Sequence, residues 1–209
     1  MIYSYDKVYL RIAQRVLGEM LNYAVYDCGY ELNEYYRLFT ESSYSERFSK
    51  GDSFVIAGMS GAELAIRVMD VPDDEIVAPG YYFEKSPEYW TGWLLAYYQW
   101  MSGKTFAVIQ KEVPVEKIRD LYHPYHEMDI TQGVQKLREI AQQNRVESYL
   151  KLLRKRARLS QSQLAEETGI PVKTIQQYEQ RRKDINKAQA EYVIKPVSYT
   201  HLRAHETSL

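Results

Sequence analysis

The sequence predicts an all-α protein in two helical units. Apolar residues recur at three- and four-residue steps along most of the chain, the spacing that lines one face of a helix. Capping residues and glycines stand at the ends of those runs. A change of charge divides the chain near Val146. With 45% hydrophobic and 26% charged residues, the chain has the apolar material for packed cores, which argues against disorder.

The first predicted helix covers residues 5–28, where Val8, Ile12, Val16, Leu17, Met20, Leu21, Ala24 and Val25 form the stripe and Gly29 supplies the stop. A shorter one over residues 33–40 carries Tyr35, Tyr36, Leu38 and Phe39, with Asn33 as its cap. Residues 42–48 form a further turn or two before the Lys50-Gly51-Asp52 break, and the run Phe54-Val55-Ile56-Ala57 fits helix or strand. Ser60 and Glu63 make a capping box for a helix over residues 61–69, and the Pro- and acid-rich residues 71–80 read as a loop.

Ser86-Pro87-Glu88 is a strong helix start: Ser can cap, Pro is tolerated at the first helical position, and Glu complements the positive end of the dipole. The helix that follows, to Ser102, holds Trp90, Trp93 and Trp100 together with Leu94, Tyr97 and Tyr98. It is expected to be the centre of the N-terminal core, although some of its rings could instead line a partner-binding groove. After Gly103, residues 105–109 are expected to be extended, and residues 114–121 and 130–143 helical. The polar run Gln142-Gln143-Asn144-Arg145 is the expected linker.

Charge supports that seam. Between residues 146 and 195, 11 Lys and Arg stand against 6 Asp and Glu, whereas over residues 1–145 the count is 15 against 21. A basic segment thus follows an acidic one, as expected where the C-terminal part meets phosphates and the N-terminal part meets something else. The single Cys28 cannot form an internal disulfide and is expected to be a small buried residue in a reducing compartment. The start MIYSYDKVYL has neither a basic nor an apolar leader region, and no stretch approaches the roughly 18 apolar residues needed to span a bilayer. The expected location is the cytoplasm.

The segment YLKLLRKRARLSQSQLAEETGIPVKTIQQYEQRRKDINKAQAEYVIK, from Tyr149, carries the chemistry. Leu152, Leu153, Ala157 and Leu159 give a first helix with one apolar and one basic side. Ser160 caps a second helix, Gln163 completes its capping box, and Leu164 and Ala165 face inward. Gly169 supplies a turn in which φ is positive without a Cβ penalty. Ile170 plugs the angle between helices, Pro171 starts the third at a position that needs no N–H, and Ile175 and Tyr178 point to the core. Asn186 opens a fourth helix with Ala188, Tyr192, Val193 and Ile194.

Leu153-Arg154, Leu159-Ser160-Gln161, Leu164-Ala165, Gly169-Ile170, Ile175, Tyr178-Glu179 and Ile185, at these spacings, resemble the XRE family, the Cro and phage-repressor type of helix-turn-helix. The resemblance implies a lambda-repressor-like fold for this domain and a third helix lying in the major groove of double-stranded DNA. Val172, Lys173, Gln176 and Gln177 would face the bases, while Gln161, Arg181, Arg182 and Lys183 would contact the phosphate backbone. It also implies an internal ion pair between Arg154 and Glu179 and a homodimer on DNA. Two departures stand out. Pro171 replaces the usual Ser or Thr cap, and the last helix of the family is missing, because the chain ends in PVSYTHLRAHETSL. There VSYTHLRAHET resembles one reading frame of a transposon-end sequencing adapter, so an artefactual tail is expected over residues 196–209, and His201 and His205 are not read as a metal site.

The expected domains are therefore an acidic, aromatic-rich helical domain of unassigned role over residues 1–143 and the helix-turn-helix over residues 146–195. Less specifically, Leu17-Gly18-Glu19-Met20, Gly58-Met59-Ser60-Gly61 and Ser86-Pro87-Glu88-Tyr89-Trp90 resemble a region that precedes XRE modules in bacterial proteins. Within His123-Pro124-Tyr125-His126-Glu127-Met128-Asp129, Pro124 interrupts any helix that would present both histidines on one face, so a loop is expected there. There is no phosphate-cradling Gly-rich loop and no nucleophile elbow, and neither an active site nor a cofactor is expected. Two readings remain: a repressor-like regulator, or an antitoxin whose residues 1–143 hold a protein partner, the toxin, and whose DNA reader serves autoregulation. Neither involves a membrane.

Overall fold

The computed structural model describes residues 3–82, 84–179 and 185. It is all-α, with no strand among the described residues. The chain divides into two compact units, Met1–Arg138 and Glu139–Leu209. No helix among the described residues is long and apolar enough to cross a membrane, and no cluster of His, Cys, Asp and Glu among them is built to hold a metal ion.

Unit 1 is organised around α1 (Leu10–Asn22), which continues through one π-helical turn over Tyr23–Asp27 and stops short of Gly29, at φ +74°. Leu10, Val16, Leu17, Met20, Leu21 and Ala24 are buried along it. Val8, counted in the sequence stripe, is exposed instead: Asp6 caps a separate turn over Lys7–Tyr9, and the apolar face begins only at Leu10.

Against α1 lie α2 (Leu32–Glu41), α4 (Ser53–Ala57), α5 (Gly61–Met69) and α6 (Pro87–Ser102), with α3 (Ser43–Ser49) packed on α2 and α4. Three local choices follow from caps. Asp52 accepts the Phe54 amide, so the ambiguous run becomes α4. Ser60 and Glu63 form both bonds of the capping box of α5, and Ser86 caps α6 with Pro87 in its first turn. α2 starts one residue before the expected place, with Asn33 inside the helix and Glu31 before it.

Two glycines set the spacing of the α1–α6 crossing. A Cβ on Gly92 would overlap the Leu17 carbonyl and lie 2.8 Å from the Gly18 Cα, and one on Gly18 would lie 2.9 Å from the Tyr89 carbonyl oxygen. The backbones touch there. Gly61 does the same for α5, where a Cβ would overlap Glu19 and lie 2.5 Å from the Met20 amide.

The rest of unit 1 comprises α7 (Phe106–Glu112), α8 (Val115–Arg119), the short α9 (Tyr122–Tyr125) and the start of α10 (Ile130–Arg156). Residues 105–109 are not extended. Thr105 accepts the Val108 amide and starts α7, so the cap outweighs the strand preference of a β-branched pair. Phe106 then meets Phe39 and Phe48 at centroid distances of 5.1 and 5.4 Å, giving the aromatic core among α2, α3 and α7. Of the three tryptophans only Trp100 is buried, its indole N–H donating to the Tyr5 carbonyl at 2.8 Å. Trp90 and Trp93 are half-buried, and Cys28 is half-buried too, not enclosed. His123 and His126 pack their rings against Tyr122.

The boundary between units falls within α10, and the polar run 142–145 is helical. It contains neither Gly nor Pro, so nothing in it stops a helix already running.

Because backbone cannot yield as a side chain does, Gly92→Ala is expected to destabilise unit 1 by about 1–3 kcal/mol. Gly133 is the control. Its added Cβ meets only the Leu94 side chain, at 3.1 Å or more, so Gly133→Ala is expected to change stability by less than about 1 kcal/mol. Thermal unfolding of the two variants measures the difference.

Candidate nucleic-acid interface

Unit 2 is built on the C-terminal part of α10, α11 (Gln161–Thr168) and α12 (Val172–Glu179). Leu150, Leu164, Ile175, Tyr178 and Ile185 form its buried centre, with Leu153, Ala157, Leu159, Ala165 and Ile170 packed around them. A core this small depends on well-defined turns.

The first turn ends α10 at Arg158, which is left-handed at φ +56°. The second lies at Gly169, φ +68° and ψ 9°. Nothing lies within 4 Å of where a Gly169 Cβ would stand, so this position needs glycine for its backbone angle and not for room. Between the turns, Ser160 and Gln163 exchange the two bonds of a capping box at 3.1 and 2.8 Å. The Pro171 carbonyl accepts from Thr174 and Ile175 at 2.8 and 3.1 Å and so opens α12.

One buried polar network ties the helices together. Arg154 on α10 donates to both carboxylate oxygens of Glu179 on α12, at 2.6 and 2.8 Å, and to the Leu159 carbonyl at 2.9 Å. Gln161, the first residue of α11, donates its side-chain amide to Glu179 at 2.8 Å. The side chains of Arg154 and Glu179 are only 11% and 2% exposed, so this is an interior pair. Burial alone pushes the Glu179 carboxyl up. The hydrogen bonds from Arg154 and Gln161 and the charges of Arg154 and Lys151 outweigh it and hold the group below the ordinary carboxylate range.

With Ile175 and Tyr178 turned inward, the opposite face of α12 carries Val172, Lys173, Gln176 and Gln177. Lys173 and Gln176 are exposed, and Val172 and Gln177 half-buried. Steps of one and four residues place these four on one side of a helix, away from the core pair at 175 and 178. Gln161 sits at the start of α11, half-buried, with one of its two amide hydrogens engaged by Glu179. Lys151, Lys155, Arg156 and Arg158 are exposed around the end of α10, a basic surface. Arg181, Arg182, Lys183 and the fourth helix expected from Asn186 lie outside the described residues, as does the tail from residue 196.

The bond between Gln161 and Glu179 escaped sequence reasoning, as did the bond from Arg154 to the Leu159 carbonyl in the turn between α10 and α11. The only available signal was the pairing of a long polar side chain at the start of α11 with an acid at the end of α12, a pattern too common to stand out.

Residues 150–191 match the family model described as helix-turn-helix. The match covers roughly a fifth of the chain. This module is an XRE-family helix-turn-helix, so the chain carries a DNA-binding element of the regulator class. No curated protein and no solved structure matches the chain.

Removing one charge of the buried pair, by Arg154→Met or Glu179→Gln, leaves the other charge buried without its counter-ion and is expected to cost unit 2 about 3–5 kcal/mol. Chemical denaturation read by circular dichroism measures it. The pH dependence has a defined sign, because the carboxyl titrates lower in the folded state than its unfolded value of about 4.3. The stabilisation is complete above that value and is lost as pH falls through the folded one. Acid titration of unit 2 is expected to show this loss and Glu179→Gln to remove it.

Proposed function

We propose that the protein is a sequence-specific transcriptional regulator that reads DNA with α12 in the major groove. The observation that carries this reading is the division of α12 into two faces. Ile175 and Tyr178 are occupied inside, while Val172, Lys173, Gln176 and Gln177 lie together on the other side. Three of the four have a matching base edge. Lys173 can donate to guanine O6 and N7, Gln177 can pair with adenine N6 and N7, Val172 suits a thymine methyl, and Gln176 lies beside them.

Backbone contacts would set the register. Gln161 has an amide hydrogen to offer a phosphate at the positive end of α11. Arg181, Arg182 and Lys183 follow α12 in sequence and would add charge. The protein would act as a homodimer on an inverted repeat with half-sites one helical turn apart, about 34 Å. It would work in the cytoplasm, with no reaction to catalyse and a repressor-like effect where its site overlaps a promoter. The acidic balance of residues 1–145 supports a second reading, in which that half holds a basic protein partner such as a toxin and the DNA reader serves autoregulation. Co-purification of the product of an adjacent gene distinguishes the two.

The reading is tested by mobility shift against the upstream region of its own gene, at two salt concentrations. Lys173→Ala combined with Gln177→Ala is expected to remove discrimination worth about 1–3 kcal/mol per bidentate contact while leaving weak, salt-sensitive binding. Selectivity that survives both substitutions shows that another face reads the bases.

A further inference from the structure

Unit 1 has its own concave, charged surface. A cleft of about 430 Å³ opens among α1, the start of α5 and the start of α6, and a second of about 350 Å³ lies beside it along α1 and α6. The two share Arg15, Lys85 and Tyr89 in their walls, so these residues mark the junction. The larger volume lies within the roughly 300–1,000 Å³ range of ordinary small-ligand sites.

The charges at that junction run against the character of the domain. Residues 1–145 carry six more acidic than basic side chains, yet Arg11 and Arg15, one turn apart on α1, converge here with Lys85. Among the described residues, neither Arg11 nor Lys85 has a carboxylate within ion-pair distance. Lys85 rests on rings instead. Its ammonium lies 4.0 Å from the centroid of Tyr89 and 5.4 Å from that of Trp93, and donates to the Tyr89 hydroxyl at 2.8 Å.

The acids lining the larger cleft do not supply the missing partner. Asp27 accepts from the Gly80 amide and the Tyr82 hydroxyl, at 2.7 and 3.0 Å. Glu19 accepts from the Gly61 amide at 3.3 Å and reaches Arg15 only at 3.8 Å. Glu84 also borders the cleft, with no ion pair among the described residues. The aromatic part is equally specific. Tyr89 and Trp93 stack at 6.1 Å with planes 24° apart, both half-buried, and Tyr23 and Tyr82 line the larger cleft with Tyr89.

We propose that this junction is a binding site for a small ligand that joins a flat ring to an anionic group. The ring lies among Tyr23, Tyr82 and Tyr89, and the anion meets Arg15 and Lys85, with Arg11 behind them. Charge-assisted hydrogen bonds to guanidinium and ammonium supply the strength, and a ring against tyrosine faces supplies the selectivity. A nucleoside monophosphate and an aromatic carboxylate share this chemistry.

Isothermal titration of the full chain, without DNA, tests it with four probes: AMP, indole-3-acetate, adenosine and inorganic phosphate. At least one of the two ring-bearing anions is expected to bind saturably, and adenosine and phosphate at least about tenfold more weakly, a loss of one charged interaction. Arg15→Ala and Lys85→Gln are each expected to weaken that ligand about tenfold or more. Both side chains are exposed, so thermal unfolding should be unchanged. Whichever ring-bearing anion binds identifies the source. No saturable binding by either, phosphate binding as tightly as they do, or affinity unmoved by both substitutions overturns the proposal. None of these results bears on DNA recognition by unit 2.

Discussion

The geometry of unit 2 depends on the bidentate pair between Arg154 and Glu179. The end of α10 and two short helices around a handful of apolar residues bury too little surface to fix their own angles, since apolar contact has no direction. A planar guanidinium does have direction. Its nitrogens meet both oxygens of Glu179 and the Leu159 carbonyl, so the end of α10 and the end of α12 are held at one distance and one rotation. A lysine at 154 would bring one point charge and no plane. The pair's net contribution to stability is modest, because two ions are desolvated to make it, and its effect lies in excluding other arrangements. Through Gln161 the same carboxylate also reaches the start of α11. Tilting α12 by rotating about its core contacts would break bonds on three segments at once.

Much of this was legible in the sequence wherever one residue decides a local conformation. Ser60 with Glu63, Ser86 before Pro87, Ser160 with Gln163, and Gly169 each act within four positions of themselves, so their effects can be read without the rest of the chain. The failures came where two local rules competed or the deciding partner was distant. At residues 105–109 a cap and a strand preference pointed in different directions, and the cap prevailed. At Val8 the apolar period was right and the helix start was wrong. At residues 142–145 polarity suggested a linker, but polarity does not end a helix when Gly and Pro are absent. Gly18 and Gly92 carry no local signal at all: their purpose appears only when α1 and α6 cross. The binding-site junction was illegible for the same reason, because Arg11 and Arg15 lie some seventy positions from Lys85 and the stacked rings.

Unit 1 also shows why an aromatic-rich sequence is hard to apportion between core and surface. The phenols of Tyr5, Tyr35 and Tyr36 are buried without hydrogen-bond partners among the described residues, and burial raises the pKa of each, so none titrates under ordinary conditions. Such hydroxyls cost stability, which the rings recover by filling volume among α2 and its neighbours. Glu88 is the opposite case. It is nearly fully buried yet fully used, accepting from Arg119 at 2.6 Å and from the Tyr26 hydroxyl at 2.9 Å, and it anchors the first turn of α6. Tyr89 and Trp93, half-buried on the same helix, sit beside Lys85, which has no carboxylate within ion-pair distance among the described residues. The core took Leu94, Leu95, Tyr98 and Trp100 of α6 and left Tyr89 and Trp93 half-buried.

Counting charges along the chain locates a basic segment but does not say which charges face outward. The excess of five between residues 146 and 195 is unaffected by Arg154 and Glu179, which cancel inside the unit. Among the described residues, the exposed cations are Lys151, Lys155, Arg156 and Arg158 at the end of α10 and Lys173 on α12, with Glu166 and Glu167 exposed on α11. These have different physical consequences. A cluster on α10 attracts any duplex in proportion to its phosphates, and that attraction falls with salt regardless of sequence. Lys173 stands among two glutamines and a valine, where a hydrogen-bonding pattern and not charge alone decides whether it fits. On the proposed reading, affinity and selectivity would fall on different helices of the same small unit, and the buried pair between those helices would set the angle at which one serves the other.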